Sequence, residues 1–167
     1  NTATYKVLSE TYNATDYDIG FELRSYIPKL DEYSTYKFEI VDILAKGFDL
    51  DSNSIKVFLG ESEYSEENYT ITSIVISAEN YETYKSYFEE EGKEYPENYK
   101  ESQYGKTLIL VELNDLVSQM NDKIVTQGQD VFVRYNAKLN GKGETGKIAN
   151  TNEAYLKYSN NPYWDSL

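Results

Sequence analysis

In the run Tyr36-Lys37-Phe38-Glu39-Ile40-Val41-Asp42 a carboxylate falls in step with large apolar side chains. Read with period two, Tyr36, Phe38, Ile40 and Asp42 share one face of a strand, while Lys37 and Glu39 take the other. An ionised carboxylate buried without a partner costs several kcal/mol or is driven toward its protonated form. Asp42 therefore has two readings. Either it sits at the strand end, capping the turn before Gly47 where water reaches it, or it is held inside against a specific group, where it can move a proton.

Other chemistry is narrowed by what the sequence lacks. It has no Cys and no His, which removes disulfides, thiolate nucleophiles, Ser-His-Asp and Cys-His arrangements, and the usual zinc ligand sets. Asp49, Asp51 and Asn53 have the spacing that opens an EF-hand loop. The required glycine is missing, however, and Gly60 stands where the closing glutamate belongs, so no metal and no cofactor are expected. The many Asp and Glu could in principle pair for glycoside hydrolysis, but a solvated acidic face accounts for them, and no enzyme activity is expected.

Sixteen basic residues stand against 29 acidic ones, a formal charge of −13. That argues against nucleic acid or an anionic membrane as partner, since both call for basic surface. No apolar run is long enough to span a membrane, and no signal peptide is present at Asn1. The abrupt start and stop predict a domain excised from a larger extracellular protein.

The elements that must position Asp42 follow from the alternation. The 18 Tyr tilt the protein toward β structure. A first strand is expected over 4–8, with Lys6 on the face of Thr4 and Leu8 and alternating with Tyr5 and Val7, then a turn over 13–16. Strands follow over 19–27, stopped by Pro28, and over 36–42, then over 55–59 and 69–76. Residues 108–111 resume a strand, 114–120 read as a capped helical turn, and 131–139 give the clearest strand. The last strand, ended by Pro162, carries Asn152, Ala154, Leu156, Tyr158 and Asn160 on one face. Turn-punctuated strands of this kind indicate an all-β antiparallel sandwich, with Phe21, Leu23, Phe38, Ile40, Val133, Tyr135 and Leu156 in its core. Residues 78–105 differ. They are rich in Glu and Tyr, with a short helix expected over 80–91 carrying Tyr81, Tyr84 and Phe88, and read as a solvated insertion whose alternative role is a Tyr-lined recognition surface.

Several runs, taken in order, resemble the isopeptide-forming domain of Gram-positive fimbrial backbone pilins and surface adhesins. They are Ile27-Pro28, the Tyr36-to-Asp42 run, Lys46-Gly47-Phe48, Val133-x-Tyr135-x-Ala137-x-Leu139-Asn140, and Asn152-x-Ala154-x-Leu156-x-Tyr158-Ser159-Asn160-Asn161-Pro162. The resemblance spans the sequence apart from 78–105. It implies an immunoglobulin-like sandwich of the collagen-adhesin type over 1–162, with 163–167 as exit linker. It also implies a spontaneous Lys–Asn amide assisted by a buried acid: Lys6 as the lysine, Asp42 as proton shuttle, and Asn160 as the asparagine, with Asn161 as alternate and Asn152 as third candidate. Asp16 stands where a glycine is usual in the family. The implied role is structural, a stalk domain of a cell-wall-anchored pilus or adhesin whose partners are neighbouring domains or pilin subunits. The alternative is an adhesin module that binds a host glycan or protein through the insertion.

The residues themselves are suited to that bond. A lysine in an apolar interior loses its charge more readily and becomes a nucleophile. A protonated Asp42 can polarise an Asn carbonyl and pass a proton to the departing ammonia.

Overall fold

The computed structural model describes residues 2–5, 9–15, 18–140 and 153–159, with side-chain surroundings for 19–140. Its strands are β1 (Thr2–Tyr5), β2 (Ser9–Thr15), β3 (Asp18–Tyr26), β4 (Phe38–Leu44), β5 (Phe48–Leu59), β6 (Ser62–Glu63), β7 (Tyr69–Val75), β8 (Thr107–Leu113), β9 (Asp130–Leu139) and β10 (Glu153–Ser159). Among the described residues these form two sheets, ordered β1-β10-β4-β8-β7 and β2-β3-β9-β5-β6, and every pairing is antiparallel. The result is an immunoglobulin-like β-sandwich, as the alternation predicts.

The space between the sheets is filled from both sides by alternate residues. Phe38 and Ile40 of β4 and Ile109, Val111 and Leu113 of β8 meet Phe21 and Leu23 of β3 and Val133 and Tyr135 of β9. Six of the seven core residues expected from sequence are buried there; the seventh, Leu156, lies outside the residues whose side chains are described. The two sheets differ on their outer faces. That of the β9 sheet is open to water, and Arg134 lies there over the rings of Phe58 and Phe132 at 4.5 and 5.2 Å and pairs with Glu22 at 2.6 Å.

The outer face of the β4 sheet is covered, and here the sequence reading needs correction. Residues 78–105 are not a solvated decoration. They form two short helices, α1 (Tyr81–Tyr84) and α2 (Tyr99–Gln103), with a 3-10 turn at Lys85–Tyr87. Tyr81 and Phe88 close a second apolar cluster over Val41 and Ile43 of β4, Leu108 and Leu110 of β8, and Ile76. The molecule thus has three layers, and all seven residues of β4 are buried. Of the helix expected over 80–91, α1 and the 3-10 turn are what forms, and they end at Tyr87.

One strand was not expected and another extends beyond its expected bounds. β2 takes in Asn13 and Thr15, where a turn was expected, because β3 offers ladder partners such as Gly20 opposite Asn13; of the strand expected over 4–8, residues 4 and 5 fall in β1 and 6–8 lie outside the described residues. β5 starts at Phe48, well before residue 55. Its polar middle is irregular between Asp51 and Lys56, and Ser54 repairs the break. The Ser54 hydroxyl donates to the Asp51 carbonyl at 2.6 Å and accepts from the Asn136 N–H at 2.8 Å. The turn expected over 114–120 is α3 (Leu116–Asn121), preceded by Asp115 in the left-handed region at φ 44°.

Candidate functional site

Asp42 lies in the middle of β4, not at its end, and is 1% exposed. Ladder register sets Ile109 of β8 beside it on one flank and Ala154 of β10 on the other. From the facing sheet, the Tyr135 hydroxyl donates a hydrogen bond to Asp42 Oδ2. That ring is fixed by stacking on Phe21, with centroids 5.0 Å apart and planes 14° from parallel, and Phe21 in turn meets Phe48 edge-on at 5.4 Å. Of the two readings of Asp42, the interior one holds. Sequence reasoning treated Tyr135 as core filling only. The signal that could have exposed its second role is that a buried tyrosine hydroxyl needs a partner, and Asp42 is the carboxylate of the facing inner surface.

Around Asp42 run the two terminal strands. Among the described residues β1 pairs only with β10, Tyr5 opposite Leu156, and β10 continues the sheet to β4, with Leu156 opposite Ile40. Tyr5, Leu156 and Ile40 therefore form one cross-sheet row, two residues from the Ala154–Asp42 pair. Thr4 belongs to the next row of the ladder, with Lys157 and Glu39. Lys6, Asn160, Asn161 and Asn152 lie outside the described residues, so Asp42 is the member of the implied set whose surroundings can be given.

A second buried acid was read as solvent-facing. Glu39 is 5% exposed, beneath the insertion, and Tyr87 donates to its Oε1 at 2.8 Å. Glu112 is its register neighbour on β8. Burial, followed by the hydrogen bond and charge of Glu39, pushes the Tyr87 phenol well above its ordinary range. Burial does the same to Tyr81, reinforced by Glu89, and to Tyr64. The tyrosines of 78–105 are thus largely committed to packing: Tyr84, Tyr87, Tyr99 and Tyr104 pack on the second cluster, and Tyr95 lies against Tyr99 at 4.4 Å.

The acids of the EF-hand-like spacing serve the loop itself. Asp49 Oδ1 accepts from Asn140 Nδ2 at 2.8 Å, and Asp51 Oδ1 from the Asn53 N–H at 3.1 Å.

No protein-family model matches the sequence, and no curated protein matches it. Solved structures do. The major pilin SpaA of Corynebacterium diphtheriae, whose structure points to a modular pilus assembly and stabilising isopeptide bonds, superposes with a TM-score of 0.57 at 14% identity over 93% of this protein. The fold is that of a backbone-pilin domain. The pilus backbone RrgB of Streptococcus pneumoniae gives 0.51 at 17% identity over 95% of the length. The T6 backbone pilin of serotype M6 Streptococcus pyogenes, a three-domain protein decorated with variable loops and extensions, gives 0.51 at 16% over 97%. The present sequence spans 30%, 26% and 29% of the lengths of these pilins, in the same order. At these identities the likeness is one of fold. Among the described residues no helix is long and apolar enough to cross a membrane.

Proposed function

We propose that the protein is a stalk domain of a surface pilus, locked by an amide between Lys6 and an asparagine flanking the last strand and displayed outside the cell as part of a cell-wall-anchored polymer. The observation that carries this reading is the buried Asp42, held by Tyr135 and set beside the strand that joins the two termini. Neutral Lys6 Nζ attacks the asparagine Cγ, the Cγ–Nδ2 bond of that asparagine breaks, and ammonia leaves. Asp42 carries the proton from Nζ to the departing nitrogen. Proximity of the reacting groups is what lowers the barrier of such a step. The event happens once per molecule. Closing nearly the whole polypeptide into a loop restricts the unfolded state, by analogy with a disulfide, by on the order of 4–5 kcal/mol. A stalk without cysteine gains in this way a cross-link through which tension passes from end to end.

Register bears on which asparagine reacts. Ala154 stands opposite Asp42, and Ser159 is five strand residues further on, roughly 16 Å at the rise of a β-strand. Asn160 follows Ser159, whereas Asn152 is two residues from Ala154. Backbone connectivity therefore favours Asn152 over Asn160 as the partner of Lys6 near Asp42. Glu39 is the other buried acid of β4, and the experiment distinguishes the two.

Intact-mass measurement on the purified protein should show a deficit of one ammonia, and peptide mapping should give a branched peptide joining Lys6 to Asn152. Asp42→Ala should restore the full mass while Glu39→Gln leaves the deficit in place. A parent protein of full sequence mass ends this reading, and a branch at Asn160 overturns the register argument alone.

A further inference from the structure

Among the described residues β7 is the outer strand of the β4 sheet, paired with β8 on one side only. Edge strands in native proteins are commonly guarded by charge, proline or a bulge. From Tyr69 to Ile76 the sequence reads YTITSIVI, with no charge and no proline, and its register with β8 is unbroken.

The ladder shows which backbone groups face outward. The Asn114 N–H donates to the Asn68 carbonyl at 2.9 Å, and Ile76 both donates to the Lys106 carbonyl and accepts from the Gly105 N–H at 2.8 Å. Alternation along an antiparallel pair then turns the even-numbered residues toward β8 and the odd-numbered ones away. Val75 is partly covered, since its carbonyl accepts from Asn80 Nδ2 at 3.0 Å. Ile71 and Ser73 each present an N–H and a C=O to the open edge, and no described residue bonds to them.

Beside this edge the two sheets part to leave a slot of about 580 Å³. It is lined by Ser73 and Val75 of β7 and by Phe48, Leu50 and Ser52 of β5. Val75 is 57% exposed there, an apolar side chain facing a partly apolar slot. An extended segment bonded to Ile71 and Ser73 would turn alternate side chains into that slot, which is the geometry of strand addition.

Charge selects the occupant. Glu66 and Glu67 precede the neutral window and Glu79 follows it; Lys46 and Asp49, both at the slot, offset each other. A second copy is disfavoured. Antiparallel self-pairing centred on Thr72 sets Glu66 and Glu67 of one copy beside the Glu79 end of the other, and parallel pairing sets like against like. We propose that β7 is a docking edge for an extended strand of a separate polypeptide, uncharged and β-branched at its centre, with lysine or arginine at its ends.

The test uses the 167-residue protein, isotope-labelled, titrated with a peptide of alternating threonine and valine that carries two lysines at each end. Amide shifts should map to Ile71, Ser73 and Val75, and affinity should fall as salt rises. The same peptide with glutamates at its ends, or with proline at its centre, should bind at least ten-fold more weakly. Ser73→Pro removes an outward N–H without touching the β8 ladder; it should keep the fold and lose binding at least ten-fold. Should that variant unfold, Ser73→Lys, which fills the slot, takes its place with the same expected loss. Shifts confined to another face, equal binding of the proline peptide, no binding at millimolar peptide, or self-association of the protein through β7 would each overturn the proposal.

Discussion

Excising 78–105 and bridging the gap with a short glycine-serine linker should destroy cooperative folding. The insertion covers Val41, Ile43, Ile76, Leu108 and Leu110, each at most 7% exposed. Returning such a side chain to water costs about 1.5–3 kcal/mol. Five of them give roughly 8–15 kcal/mol, an upper bound because unfolded polypeptides already hide part of this surface. That matches the whole stability of an ordinary domain, about 5–15 kcal/mol. A graded companion is Tyr81→Ala. Tyr81 is fully buried, and emptying an aromatic site costs about 3–5 kcal/mol. At about 2–4 °C per kcal/mol for a protein of this size, its Tm should fall by roughly 6–20 °C. Calorimetry, with dye binding to report exposed apolar surface, reads both variants. A deletion variant that melts cooperatively within a few degrees of the parent would refute the claim that the third layer is structural.

Two further outcomes follow from the buried hydroxyls. Tyr135→Phe removes a hydrogen bond to a buried carboxyl and should cost about 1–3 kcal/mol in a denaturant melt; it should also leave a fraction of molecules at full mass, because Asp42 loses the group that aims it. Tyr87 has its folded pKa raised above the unfolded value by burial and then by Glu39, so its contribution is fully present below about pH 10, the unfolded value, and is lost as pH rises through the folded value. Stability should accordingly fall on the alkaline side, and Tyr87→Phe should flatten that slope in melts taken across the alkaline range.

What the sequence disclosed was mainly local. The strict alternation of β3 and β9 placed both strands within a residue or so of their observed bounds, and the inner face of β4 was read with Asp42 on it. The outer face was missed because period two assigns Lys37 and Glu39 to solvent, while Ile40-Val41-Asp42-Ile43-Leu44 is nearly continuous in apolar residues, the pattern of a strand covered on both sides. What covers it comes from a segment some forty residues later, which no local pattern connects to β4. The polar half of β5 was passed over because Asp51, Ser52 and Asn53 favour turns in isolation, and the serine that holds the ladder there, Ser54, acts through β9. For the candidate site, the acid was legible and its tyrosine partner was not, since that bond crosses between sheets.

The pairing of β1 with β10 has a consequence in time. A ribosome releases residues 2–5 well before 153–159, so β1 waits for its ladder partner until the rest of the sandwich is made. Contacts of such long sequence separation form late and slowly. The β4 edge that β10 covers stays bare through that interval, and a product truncated before residue 153 never closes it. Completion of this one seam thus reports that translation has run through both ends of the sandwich, and any reaction that needs the seam is withheld until then.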